Sequence, residues 1–249
     1  MRSEDSLRGK HAVVTGGVRG IGLGIATLLA DRGLRVSIVS RSAHHSGHER
    51  FFRAECDVTN ESQVDSALTA CRAANGPIAV LVNNSGIAES APLTRTSFEM
   101  WQQILATNLT GTFLCTRAVV EDMIVAKWGR IVNVASTAAL GGARYLGAYC
   151  ASKHGVLGFT RAIADEFVGT GITVNALCPG YTETDMMRKA LANITRHTGA
   201  GEDAARAHLA QSNPLGRIAT IEEVAEAAFD LMNGSRNGVG VVIPGGTIV

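Results

Sequence analysis

Apolar positions along the chain fall into seven short runs, at 11–15, 35–40, 51–56, 78–83, 129–136, 172–178 and 239–243. The stretches 78–83, 129–135 and 172–178 are almost continuously apolar, as strands buried on both faces are. Between most of them lie amphipathic segments near 20–33, 60–75, 97–127, 148–169 and 220–233, which read as helices. Repeated strand–helix units predict an α/β fold, a doubly wound parallel sheet of about seven strands with right-handed crossovers and helices on both faces. In such a sheet a ligand lies beyond the carboxyl ends of the strands. No linker, repeat or low-complexity tract interrupts the 249 residues, so 1–249 reads as one domain.

Composition narrows the function classes. A net charge of +1 offers no electrostatic case for nucleic acid or a membrane surface. No apolar run approaches the ~18 residues of a membrane span, and the polar start Met1–Ser6 lacks the hydrophobic core of a signal peptide. Five cysteines form no Cys-x-x-Cys pair and leave one unpaired, which fits reduced thiols in the cytoplasm. Cys150 reads as a packing residue. His44, His45 and His48 invite a metal reading, but no cysteine or carboxylate cluster completes a site, so they read as a solvated loop and no metal is expected.

Two local patterns carry chemistry. The run His11–Thr15 leads into Gly16-Gly17-Val18-Arg19-Gly20-Ile21-Gly22, after which Ile21, Ile25, Leu28 and Leu29 mark a helix. Strand, glycine turn and helix bring backbone amides to the positive helix end, where a pyrophosphate can approach; an isolated glycine cluster reads equally as a tight turn. Further on, Tyr149 and Lys153 lie four apart, on one helix face. A free phenol ionises near pH ~10. An ammonium one turn away is expected to lower that value and make the tyrosine a usable acid or base.

The order Thr15-Gly16-x-x-x-Gly20-Ile21-Gly22, Asn83-Asn84-Ser85-Gly86, Asn108, Ser136, Tyr149-x-x-x-Lys153 and Pro179-Gly180 resembles the short-chain dehydrogenase/reductase family over essentially the whole chain. Pro179–Met186, and Gly129–Asn133 leading into Ser136, are similar to its 3-oxoacyl-carrier-protein reductase and polyketide ketoreductase branch. The resemblance implies a Rossmann-type fold and a dinucleotide held by Gly16, Val18, Arg19, Gly20, Ile21 and Gly22. It implies that Asp57 and Val58 contact the adenine, and that Asn84, Ser85 and Gly86 pass beneath the ribose region. Pro179, Gly180, Thr182 and Thr184 are then expected around the nicotinamide and the pyrophosphate. Departures are Ser85 in place of the usual alanine, Thr182 in place of an aliphatic residue, and a connection at 42–50 too short for the usual long helix.

The second strand ends at Ser40-Arg41-Ser42, with no carboxylate before Glu49. A carboxylate there would bond the ribose 2′-OH of NAD, whereas a guanidinium suits the 2′-phosphate of NADP. Arg41, with Arg19 in reach of the same group, therefore favours NADP(H) over NAD(H); the plainer alternative is an exposed surface arginine. The resemblance makes Tyr149 the proton donor to a developing alkoxide, Ser136 the group that polarises the carbonyl oxygen, and Lys153 a ribose ligand. It makes Asn108 the anchor of a water that links Lys153 to solvent.

Segment 184–213 is the expected lid, with Met186 and Met187 toward the substrate. Gly141, Gly142 and Tyr145 form another wall of a pocket that includes Ser136 and Tyr149. Basic lid residues suit a coenzyme A or carrier-protein phosphate, or simply a solvated helix face. The leading expectation is an NADPH-dependent reductase of a 3-oxoacyl thioester or similar ketone. The alternatives are an alcohol or diol dehydrogenase and a non-catalytic NADP(H) sensor. The resemblance also implies a homotetramer formed through 109–127 and 150–169, with a dimer as the alternative.

Overall fold

A computed structural model describes residues 7–42 and 50–249; the histidines at 44, 45 and 48 lie outside these. The described chain is a single α/β domain built on seven parallel strands, in the order β3-β2-β1-β4-β5-β6-β7. The strands are β1 His11–Thr15, β2 Arg35–Ser40, β3 Phe52–Glu55, β4 Ile78–Asn83, β5 Gly129–Val134, β6 Ile172–Pro179 and β7 Gly240–Ile243. Between them run α1 Gly20–Asp31, α2 Glu61–Asn75, α3 Phe98–Leu105, α4 Gly111–Ala126, α5 Gly147–Glu166, α6 Asp185–Thr198, α7 Glu202–Gln211 and α8 Ile221–Asn233.

Strand alternation builds two cores. Ala12, Val14, Ile38, Val80, Val82 and Val132 face α1 and α8, meeting Ile25, Leu29, Val224 and Phe229. Val13, Val39, Leu81, Ile131 and Val174 face the other way, toward Val64 and Leu68 of α2 and Leu114, Val119 and Met123 of α4. The period of two divides each strand between the layers. Each fully buried large side chain contributes roughly 1.5–3 kcal/mol, and both faces of the sheet are filled this way. Local chemistry sets the helix starts: Asn60, Ser97 and Thr184 each accept a backbone N–H of the first turn, and Thr220 with Glu223 closes a capping box.

Two elements depart from the sequence pattern. The expected strand 129–136 stops at Val134, and Ser136 instead opens a short 3₁₀ turn, Thr137–Ala139. The segment read as one helix over 97–127 is interrupted by a π-helical turn at Ala106–Thr110, centred on Asn108. Such turns concentrate at functional sites. The expected lid is a helical pair, α6 and α7, with a small core of its own made by Met187, Leu191, Ala205 and Leu209.

Candidate active site

The C-terminal ends of β1, β2, β4, β5 and β6 deliver the site. After β1 the chain turns through Gly16 (φ 65°) and Gly20 (φ 54°), left-handed positions that favour glycine. A Cβ on Gly22 would lie 2.4 Å from Asn84 Nδ2 and 2.6 Å from the Gly16 carbonyl, so the turn closes only around a bare backbone. Asn84 belongs to this construction, because its Nδ2 donates to the carbonyls of Thr15 (3.0 Å) and Gly16 (3.2 Å). The buried Thr15 hydroxyl in turn accepts the N–H groups of Asn84 and Ser85, both at 3.0 Å. Arg19, the N-cap of α1, makes no side-chain capping hydrogen bond to the first turn. The half-buried Val18 and Ile21 turn their side chains to the α1/α8 core, and Arg19 is exposed.

These residues fit a dinucleotide. A Cβ on Gly20 would lie 3.4 Å from Thr184 Cγ2, so the glycine turn faces the loop after β6. At the end of β2, Ser40 is buried and Arg41 exposed. Burial tends to raise the Asp57 pKa, but the N–H and hydroxyl of Thr59 and the charge of Arg41 outweigh it, and the carboxyl sits below its ordinary value. The Val58 side chain packs beneath α4, where a Cβ on Gly111 would come within 2.8 Å of it, so a cofactor contact there falls to its backbone. Thr182 is buried and its hydroxyl donates to the Gly180 carbonyl at 3.1 Å.

The catalytic candidates converge on α5 and the turn after β5. Lys153 is buried and its Nζ lies 5.7 Å from the centroid of the Tyr149 ring, donating to the Val134 carbonyl at 2.7 Å. Asn108 Oδ1 accepts the Ile87 N–H at 2.8 Å, while Nδ2 donates to the Ile87 carbonyl (3.0 Å) and to Ser152 Oγ (2.9 Å). Ser152, a residue that sequence reasoning passed over, donates onward to the Tyr149 carbonyl at 2.7 Å. A Cβ on Gly86 would stand 3.3 Å from Asn108 Oδ1 and 3.6 Å from Lys153 Nζ, which brings these three residues to one place.

The electrostatics correct one expectation. Burial pushes the Tyr149 phenol above its ordinary value, and a hydrogen bond with Ser136 only partly offsets it; Tyr181 and Cys150 nearby push it further up. Burial pulls Lys153 down to about 8, against the opposing effect of Cys178, and its proton is aimed at the Val134 carbonyl. A phenol held protonated suits proton donation. The sign follows: Tyr149 keeps its proton well past neutrality, while Lys153 loses its charge as pH rises through about 8. Carbonyl reduction is therefore expected to hold level in kcat/KM below about pH 8 and to decline above it, as a pH–rate profile would show.

The substrate-side candidates divide. Gly141 and Gly142 are exposed with open space where a Cβ would go. Tyr145 is half exposed at φ 67°, a strained conformation for a non-glycine residue. Met186 is exposed, but Met187 is not available to a substrate in this structure: it is buried in the lid's own core, because helical spacing puts it on the face shared with Leu191. Tyr181 and Asn213, both unmarked by the sequence patterns, frame the loop after β6.

Set beside known proteins, the chain is an oxidoreductase of CH–OH and C=O groups. It belongs to the short-chain dehydrogenase family, whose profile matches residues 10–195. It is 37% identical to a putative ketoacyl reductase of Streptomyces coelicolor, over 91% of this chain and 90% of that protein. It is 38% identical to the D-threitol dehydrogenase of Mycolicibacterium smegmatis, over 96% and 93%. Among solved structures, an actinorhodin polyketide ketoreductase variant with NADPH superposes with a TM-score of 0.87 at 34% identity, covering 99% of this chain and 98% of the other. The family uses NAD(P)(H). Among the described residues, no helix is long and apolar enough to cross a membrane.

Proposed function

We propose that this protein is an NADPH-dependent reductase of ketones, with 3-oxoacyl thioesters as the substrate class. The observation that carries the reaction is the convergence of Ser136, Tyr149, Lys153 and Asn108 beside the glycine turn. The cofactor supplies the hydride. Ser136 hydrogen-bonds the carbonyl oxygen and favours the charge that develops there. Tyr149 donates the phenolic proton to that oxygen. Lys153 restores it through the path that begins at Asn108 and its π-helical turn. Gly16, Val18, Arg19, Gly20, Ile21 and Gly22 hold the pyrophosphate, Arg41 the 2′-phosphate, and Pro179, Gly180, Thr182 and Thr184 the nicotinamide end.

The substrate class rests on the likeness to ketoacyl reductases. A similar likeness to the D-threitol dehydrogenase supports a second reading, oxidation of a polyol by the same residues run in reverse. Initial rates decide between them. Acetoacetyl-coenzyme A is expected to be turned over with NADPH faster than with NADH. Silence with acetoacetyl-coenzyme A, alongside oxidation of D-threitol, would replace the first reading with the second.

We also place the enzyme in the cytoplasm, in keeping with its five free cysteines, and infer a homotetramer. Phe113 of α4 is 40% exposed and meets Phe159 of α5 edge-to-face, and Ile124 and Val125 are exposed further along α4. An aromatic and aliphatic strip of this kind suits a subunit contact. Light scattering coupled to sizing is expected to give four times the chain mass; a monomer mass would reject the assembly.

A further inference from the structure

Asn213 closes the lid segment and is 4% exposed. Three backbone groups hold its amide. Oδ1 accepts the Tyr181 N–H at 2.7 Å, and Nδ2 donates to the carbonyls of Tyr181 (2.8 Å) and Arg217 (2.7 Å). Both amide protons are thus used. Pairing with the N–H and the C=O of a single residue copies what a neighbouring strand does in a sheet.

Gly180 is fitted to this contact: a Cβ there would lie 2.1 Å from Asn213 Oδ1 and 2.8 Å from its Cγ. The Gly180 N–H donates to the Ile243 carbonyl of β7 at 2.7 Å, and the Tyr181 carbonyl also accepts the Ala219 N–H at 2.9 Å. The backbone through Gly180 and Tyr181 is therefore held between the last strand and the far end of the lid segment. Tyr181 packs against the lid core, and its phenol is one of the groups that hold the Tyr149 phenol above its ordinary value.

We propose that Asn213 is a positioning residue for the reaction. It fixes the backbone through Gly180 and Tyr181 and ties the end of the lid segment to it. The inference rests on the reading of Pro179–Thr184 as the nicotinamide wall. A loosened clamp then disturbs the nicotinamide half of the cofactor and leaves the adenosine half, bound at the ends of β2 and β3, in place.

Asn213→Ala tests this by titration with NADPH and, separately, with 2′,5′-ADP, which carries only the adenosine half. The expected result is a Kd for NADPH raised about tenfold and a kcat lowered about tenfold, with the Kd for 2′,5′-ADP unchanged. Asp65→Ala, exposed on α2, should leave all three at wild-type values. Asn213→Asp keeps the shape and the acceptor but loses the donors; it should show the same split, and it carries the test if the alanine variant does not fold. Both variants within twofold of wild type, or equal weakening of NADPH and 2′,5′-ADP, would overturn the proposal. Should the wild-type enzyme prefer NADH, the cofactor reading fails instead. The same comparison with NADH and 5′-ADP then decides the role of Asn213.

Discussion

Tyr149→Phe is expected to lower kcat for carbonyl reduction about a thousandfold, in the range for loss of a positioned general acid, while NADPH still binds. The change removes one oxygen and keeps the ring, so the packing of α5 around Ala148 and Ser152 survives. It also removes the hydrogen-bond partner of the Ser136 hydroxyl, which is far too weak an acid to replace the phenol as proton donor. Residual activity then reflects hydride transfer with water as the proton source. Stopped-flow absorbance at the nicotinamide band, with cofactor binding followed by fluorescence, separates the two effects. Undiminished turnover would move the acid role elsewhere, and loss of binding together with turnover would make Tyr149 a structural residue.

Arg41→Ala should act on a different quantity. A guanidinium–phosphate contact contributes about 1.5–3 kcal/mol, so kcat/KM for NADPH should fall by roughly tenfold to a hundredfold while the value for NADH barely moves. The side chain is exposed, so the folded chain loses little stability without it, and the effect appears only when the phosphate is bound. Steady-state kinetics with both cofactors reads this directly. An unchanged preference would transfer the phosphate contact to Arg19, which is also exposed, on the glycine turn.

The sheet was legible because its strands alternate or run apolar over enough residues to fix both period and burial, as at Ile78–Asn83 and Ile172–Pro179. The glycine turn and the Tyr149–Lys153 pair were legible because a local spacing carries their geometry. Other features depend on contacts distant in sequence, and no pattern announces those. Asn213 owes its place to a backbone peptide 32 residues earlier, and its only local sign is the Asn-Pro dipeptide of a turn. The π-helical turn at Asn108 adds a residue that 3.6-fold periodicity absorbs without a trace. Spacing reports the neighbour of Tyr149 and not its burial, and burial has the larger effect on its acidity.

The lid's private core has a consequence for how such a chain can change. Met187, Leu191, Ala205 and Leu209 bury one another and do not join the two layers that hold the sheet. Substitutions among these four are therefore expected to loosen α6 and α7 before the strands that lead to Ser136 and Thr15. The pair meets the rest of the chain through Tyr181 and Ile218, so a change at either of those two positions reaches both bodies at once.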